Sequence, residues 1–236
     1  MPIVTDLKLS LGTRDITERH RPLCRDGLHP RLAKKVTKVL AEVEELELLN
    51  PAIAYQAWPV DRIKGKRLHL ASGEVFEDAP VLAHRLGKPA ELIALVCTIG
   101  SRLDSQIDIW FAEHRASDAV VLAEIGIAAL GALRDDALAL VAEDVKSRGL
   151  GASGALSPGD AGFSLDGQEL LLRLAGARGI GVEMGSTAMM SPAKTLSMVA
   201  GLGTDMPKWS HADACERCEA RDNCRYRAAE KESVPA

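Results

Sequence analysis

Aromatic residues are scarce: Phe, Tyr and Trp together make up 3% of the 236 residues. The core must therefore be built from aliphatic side chains and alanine. A hydrophobic content of 47% is enough for one large domain or two small ones. The same scarcity, with a formal charge of −4, removes the stacking platforms and basic face that a nucleic-acid binder needs. No uninterrupted apolar run reaches the roughly 18 residues of a membrane-crossing helix, so no membrane span is expected. The N-terminus, MPIVTDLKLSLGTRD, has neither the basic nor the apolar segment of a secretory signal. A phosphate-cradling G-x4-G-K-[ST] loop is missing as well. Cysteine is sparse, at five residues, which argues against a disulfide scaffold and for a reducing compartment; a cytoplasmic location is expected.

Three of those cysteines fall together. Residues 215–224 read CERCEARDNC, a C-x2-C-x5-C spacing. A tight turn brings the thiolates of Cys215 and Cys218 to one metal ion, and Cys224 returns after a short excursion. Unliganded cysteines on so polar a tail would invite oxidation, so a metal centre is the expectation. Cys24, Cys97 and His211 are the candidates for a fourth ligand. With His211 the set is Cys3His and suits zinc. With a distant cysteine, or an open position, it suits a [4Fe–4S] cluster. Cys97 lies inside an apolar run, where a small buried hydrophobe is the simpler reading.

The rest of the chain mixes strands and helices without regular alternation. IVTDLKLSL reads as a first strand and TRDITERHRPLCRDGLHP mostly as loop. RLAKKVTKVLAEVEELELL carries Leu32, Val36, Val39, Leu40, Val43 and Leu46 at helical spacing. AIAYQAWPV and RIKGKRLHLASG read as separate extended stretches, a short helix falls near 78–86, and ELIALVCTIG is a buried strand. Two helices follow, one capped by Ser101 and one of about 30 residues from Ser117 to Gly149, whose small residues admit a close neighbour. SLDGQELLLRLAG is a short helix, and GIGVEMGSTAMMSPAKTLSMVAGLG gives two strands joined by a turn at Ser191–Pro192. The prediction is an α+β fold, with a domain at 1–207 and a cysteine-containing, metal-binding tail at 208–236.

Two loops are candidates for ligand contact. ALSPGDAGF has the glycines and proline of a turn that presents backbone N–H groups, which singles out Ser157, Pro158, Gly159 and Asp160. In MMSPAK, Lys194 offers an ammonium to a phosphate or carboxylate, and Met189 and Met190 are expected to fill core or interface. Asp135 and Asp136 on the long helix read as a solvated face.

Taken in order, VCTIGSRLDSQ, the long helix ending SRGL, LSPGDAGFSLDGQELLLRLAG, GIGVEMGSTAMMSPAKTLSMVAGLG and CERCEARDNCRYR resemble the vitamin B12-dependent methionine synthase activation-domain family. The likeness is to its stand-alone members, many of which end in a cysteine triplet followed by arginine, and it runs from about residue 31 to Arg227. It implies a central, mainly antiparallel sheet flanked by helices. It also implies reductive activation of a corrinoid protein: Co(II) returned to Co(I) and trapped by methylation from S-adenosylmethionine, with an Fe–S cluster as electron relay. The implied partners are a corrinoid protein or corrinoid-dependent methyltransferase and an electron donor. The family's S-adenosylmethionine loop has arginine where this chain has Ala155 and tyrosine where it has Asp160. A charge-assisted bond contributes about 1.5–3 kcal/mol, so these departures weaken the expectation of that ligand. The alternative is a non-catalytic corrinoid-protein-binding module or complex subunit whose tail holds a structural metal.

Overall fold

The computed structural model describes residues 2–19, 29–185, 189–209, 211–216 and 221–223. Cys24, Cys218 and Cys224 lie outside the described residues. The strands are β1 (Ile3–Val4), β2 (Ala52–Lys64), β3 (Arg67–Leu70), β4 (Val75–Phe76), β5 (Glu91–Thr98), β6 (Gly151–Ala152), β7 (Glu183–Met184), β8 (Met190–Ser191) and β9 (Thr195–Gly203). The helices are α1 (Thr13–Arg19), α2 (Pro30–Glu45), α3 (Pro80–Arg85), α4 (Arg102–Ala112), α5 (Ala116–Ser147), α6 (Gly167–Ala175) and α7 (His211–Glu216).

Among the described residues, seven strands form one antiparallel sheet in the order β4-β3-β2-β5-β9-β6, with β1 on the free edge of β2. β7 and β8 make a separate ribbon. The centre is β5, paired with β2 on one side and β9 on the other. Its continuous apolar sequence follows from burial on both faces. Because side chains alternate across a strand, Ile93, Leu95 and Cys97 enter one core and Leu92, Ala94 and Val96 the other. The first core is closed by α2, α4 and α5, the second by α3 and α6 with β3 and β4. Each fully buried leucine or isoleucine in these layers is worth about 1.5–3 kcal/mol over its exposed state.

Several expectations change. The segment read as loop contains α1, held by Ile16 in the core and by the Gly12 N–H donating to Asp15 Oδ2 at 2.6 Å. The extended stretches at 52–60 and 62–73 are not separate: β2 runs through the first and on to Lys64, with an irregularity between Val60 and Arg62, and the rest of the second forms its hairpin with β3. Pro59 is tolerated within β2 because it is the last residue of that strand paired with β5. Ser101 precedes α4 but makes no side-chain cap. Among the described residues one helix, α5, is long and apolar enough to cross a membrane, with a mean hydropathy of 1.7 in its most apolar window. Over half of that window, 56%, is buried inside the fold. Its small residues do admit a close neighbour: a Cβ on Gly126 would lie 2.9 Å from Leu103 of α4.

Candidate functional site

The segment joining α5 to α6 runs along the outer edge of β9. Ser153 N–H donates to Gly201 O at 2.8 Å, and Leu156 and Val199 exchange backbone bonds of 2.9 and 2.8 Å. The chain then turns at Ser157–Asp160, with Gly159 at φ +94° and Gly162 at +83°, angles that favour glycine. Phe163 anchors the far end, edge-on to Phe76 with ring centroids 5.7 Å apart.

The loop does not present its amides as the turn chemistry predicts. Ser157 N–H donates to Asp160 Oδ2 at 2.8 Å, Asp160 N–H to Ser157 O at 3.0 Å, and Gly159 N–H to Phe163 O at 2.8 Å. Pro158 has no N–H to give. What faces outward is the Asp160 carboxylate and the half-buried Ser157, beside Leu165, which is 65% exposed. Such a surface offers acceptors and an apolar edge. It suits a ligand carrying hydroxyls or positive charge better than a phosphate.

Lys194 is brought elsewhere. Its Nζ sits 2.7 Å from Asp104 Oδ1 on α4, with side-chain exposures of 16% and 28%. Its Cε lies where a Gly126 Cβ would come within 2.9 Å. The ammonium is thus directed onto the α4–α5 face, while the loop packs with Leu156 and Phe163 in the opposite core. Around it, Thr195 Oγ1 donates to Pro192 O at 2.8 Å and Thr98 Oγ1 to Lys194 O at 3.2 Å, just after the cis Ser191–Pro192 peptide. Met189 is 66% exposed and fills no core; Met190 is half-buried.

A polar group missed in the sequence lies between loop and strand. Gln168 of α6 is 6% exposed. Its Nε2 donates to Ser197 Oγ at 2.7 Å and meets Met190 Sδ at 3.3 Å. The signal was there: Gln168 shares a helical face with Leu171, Leu172 and Ala175, all buried. An amide in an apolar stripe must find partners.

Of the proposed metal ligands, Cys215 is half-buried on α7 and His211 opens that helix. Among the described residues no three His, Cys, Asp or Glu side chains gather as a metal site. Cys97 is wholly buried, and burial pushes its thiol up from 9.0 to about 12. An open concavity of about 540 Å3, lined by Arg62, Lys64, Gly65, Lys66, Arg67 and His69 of the β2–β3 hairpin, contains none of the expected site residues.

No family model and no curated protein matches the sequence. In fold the chain is similar to a solved structure, the MetH reactivation domain bound to AdoHcy, at 14% identity and a TM-score of 0.59, over 89% of this chain and 82% of that one. At that identity the likeness establishes architecture, and the architecture of this chain is the α+β fold of the MetH reactivation domain.

Proposed function

We propose that this chain reactivates a corrinoid protein, returning its cobalt from Co(II) to the methylated state. The observation that carries this reading is the reactivation-domain fold, shared over 89% of the chain. One electron from a separate low-potential donor, which is oxidised in turn, converts Co(II) to Co(I). Co(I) then attacks the sulfonium methyl of S-adenosylmethionine, the S–CH3 bond breaks, and a Co–CH3 bond forms. S-adenosylhomocysteine is released. That product is the AdoHcy of the solved neighbour. Trapping by methylation makes an unfavourable reduction productive.

In this reading the chain comprises the activation-domain-like unit 1–207 and the metal-binding tail 208–236. The exposed Asp160 carboxylate would meet the sulfonium or a ribose hydroxyl, and the exposed Leu165 and Met189 would offer apolar contacts to the corrin. Three thiols at this spacing are a donor set that fits iron–sulfur or zinc. Cys215, Cys218 and Cys224 would hold the group, with His211, Cys24 or an open position completing it. A bound [4Fe–4S] cluster supplies single electrons. Cys97 serves the core better, since a metal ligand must be a thiolate and this thiol is held neutral.

A second reading is a docking module with a structural metal. Ala155 and Asp160 replace the family's charged and phenolic contacts, the loop amides are consumed internally, and Lys194 is committed to Asp104. The test uses anaerobically prepared full chain, a Co(II) corrinoid protein, titanium(III) citrate as one-electron reductant, and S-adenosylmethionine. Loss of the Co(II) spectrum with formation of S-adenosylhomocysteine is expected, together with iron and acid-labile sulfide that drop in Cys218→Ser. Docking without methyl transfer, and no heat of S-adenosylmethionine binding, selects the module. Failure to dock on any corrinoid protein sinks both.

A further inference from the structure

After β9 the chain doubles back as a strap. Met206 lies over two glycines of that strand: a Cβ on Gly201 would come within 2.8 Å of its Cε, and one on Gly203 within 2.8 Å of its Sδ. Pro207 packs against Gly87, and its carbonyl accepts the Gly154 N–H at 3.2 Å. Trp209 then fills a slot floored by Gly154. A Cβ there would fall 2.3 Å from two indole atoms, so only glycine leaves room. The indole N–H donates to Ala155 O at 3.3 Å, and the Arg85 guanidinium stacks 4.4 Å from the ring centroid. The contacts of Trp209 are therefore with the start of the segment that turns at Ser157–Asp160. Arg85 belongs to α3, which also grips that segment's far end: Val81 N–H donates to Gly162 O at 3.2 Å, and Ser164 N–H to Asp78 O, just before the helix, at 3.0 Å. Loop, α3 and strap form one clamp around the indole.

We propose that Trp209 is a positioning residue that pins the root of the cysteine tail to the loop carrying Ser157–Asp160. Cys215 follows six residues later, so the latch bounds how far a group held by the tail can stray from a ligand at the loop. Electron transfer weakens steeply with distance, which makes the tether functional; this consequence rests on the reading proposed above.

The latch is tested first without any cofactor. Trypsin cleaves after Lys208, an exposed residue inside the strap, only when the strap opens. Gly154→Ala adds one methyl where the indole lies, and Trp209→Ala removes the indole. Both should speed cleavage after Lys208 at least about tenfold, read by intact mass, while cleavage after Lys146 on α5 keeps its wild-type rate. An unchanged Lys208 rate overturns the proposal. Equal acceleration at Lys146 also overturns it, because Trp209 would then hold the whole fold rather than the tail's root. Arg85→Met, which keeps the indole, should give an intermediate Lys208 rate. In the corrinoid assay Gly154→Ala should slow loss of Co(II) about tenfold while S-adenosylhomocysteine affinity stays within about threefold. If wild-type protein shows no Co(II) loss, the reactivation reading fails, and the proteolysis still decides the latch.

Discussion

Cys97 stands at the middle of the sheet, opposite Ile53 on β2 and Leu196 on β9. Its thiol is pushed up to about 12 by burial among apolar neighbours, only partly offset by the charge of Arg134. A folded pKa above the unfolded one means that nothing is lost while both states are protonated. As pH rises through 9.0 toward 12, the unfolded thiol ionises and the folded one does not, so stability falls by up to about 1.4 kcal/mol per pH unit from this group. Native protein at pH 9 should therefore leave Cys97 unalkylated by iodoacetamide while urea-unfolded protein reacts, as read by peptide mass. Cys97→Ala should also show a shallower loss of urea stability above pH 9 than wild type. The core role of this cysteine was legible, because its run of apolar neighbours states a two-sided burial. The role of Trp209 was not. It follows Pro207 in a polar stretch, and its slot is made by Gly154, 55 residues away in a loop where glycines have other reasons to occur.

Among elements, those with long apolar patterns were legible: β5, α2, α5 and α6 all fall where periodicity places them. α1 was not, since only Ile16 of its seven residues is an apolar anchor in the core, too few to show a period. The α4–α5 contact turns on Gly126, whose added Cβ would meet both Leu103 and Lys194 at 2.9 Å. Gly126→Val should cost about 1–3 kcal/mol by overpacking, less the helix propensity it gains, measured as a lower urea midpoint at constant slope. It should also displace Lys194 from Asp104, so its cost and that of Lys194→Met should fall short of additive. Additive costs would mean that the valine is accommodated without touching the ion pair.

For the whole molecule, the strap fixes where the body can be cut. A chain ending at Trp209 keeps the indole in its slot and should unfold within about 0.5 kcal/mol of full length. A chain ending at Pro207 loses it but keeps the core, so its urea midpoint should stay within the same margin, while the Gly154 amide should exchange faster than in the longer truncation, as read by hydrogen exchange. The sequence pattern placed the tail's beginning after Pro207, because polarity changes there. The packing carries the body two residues further, a detail that depends on contacts no linear pattern encodes. That Ser157–Asp160 is a turn was legible from its glycine and proline, but which of its groups face outward depended on hydrogen bonds closed within it.

The sheet is also protected at its rims. Its long strands, β2, β5 and β9, are interior, and the outermost members β4 and β6 are two residues each. Beyond β6, the same segment that leads into the turn at Ser157–Asp160 covers β9 through the Leu156–Val199 bridge. Among the described residues a foreign strand therefore meets only short outer strands on which to stack. A chain with such rims can meet another protein without an adhesive flank that would seed fibrils with its own copies.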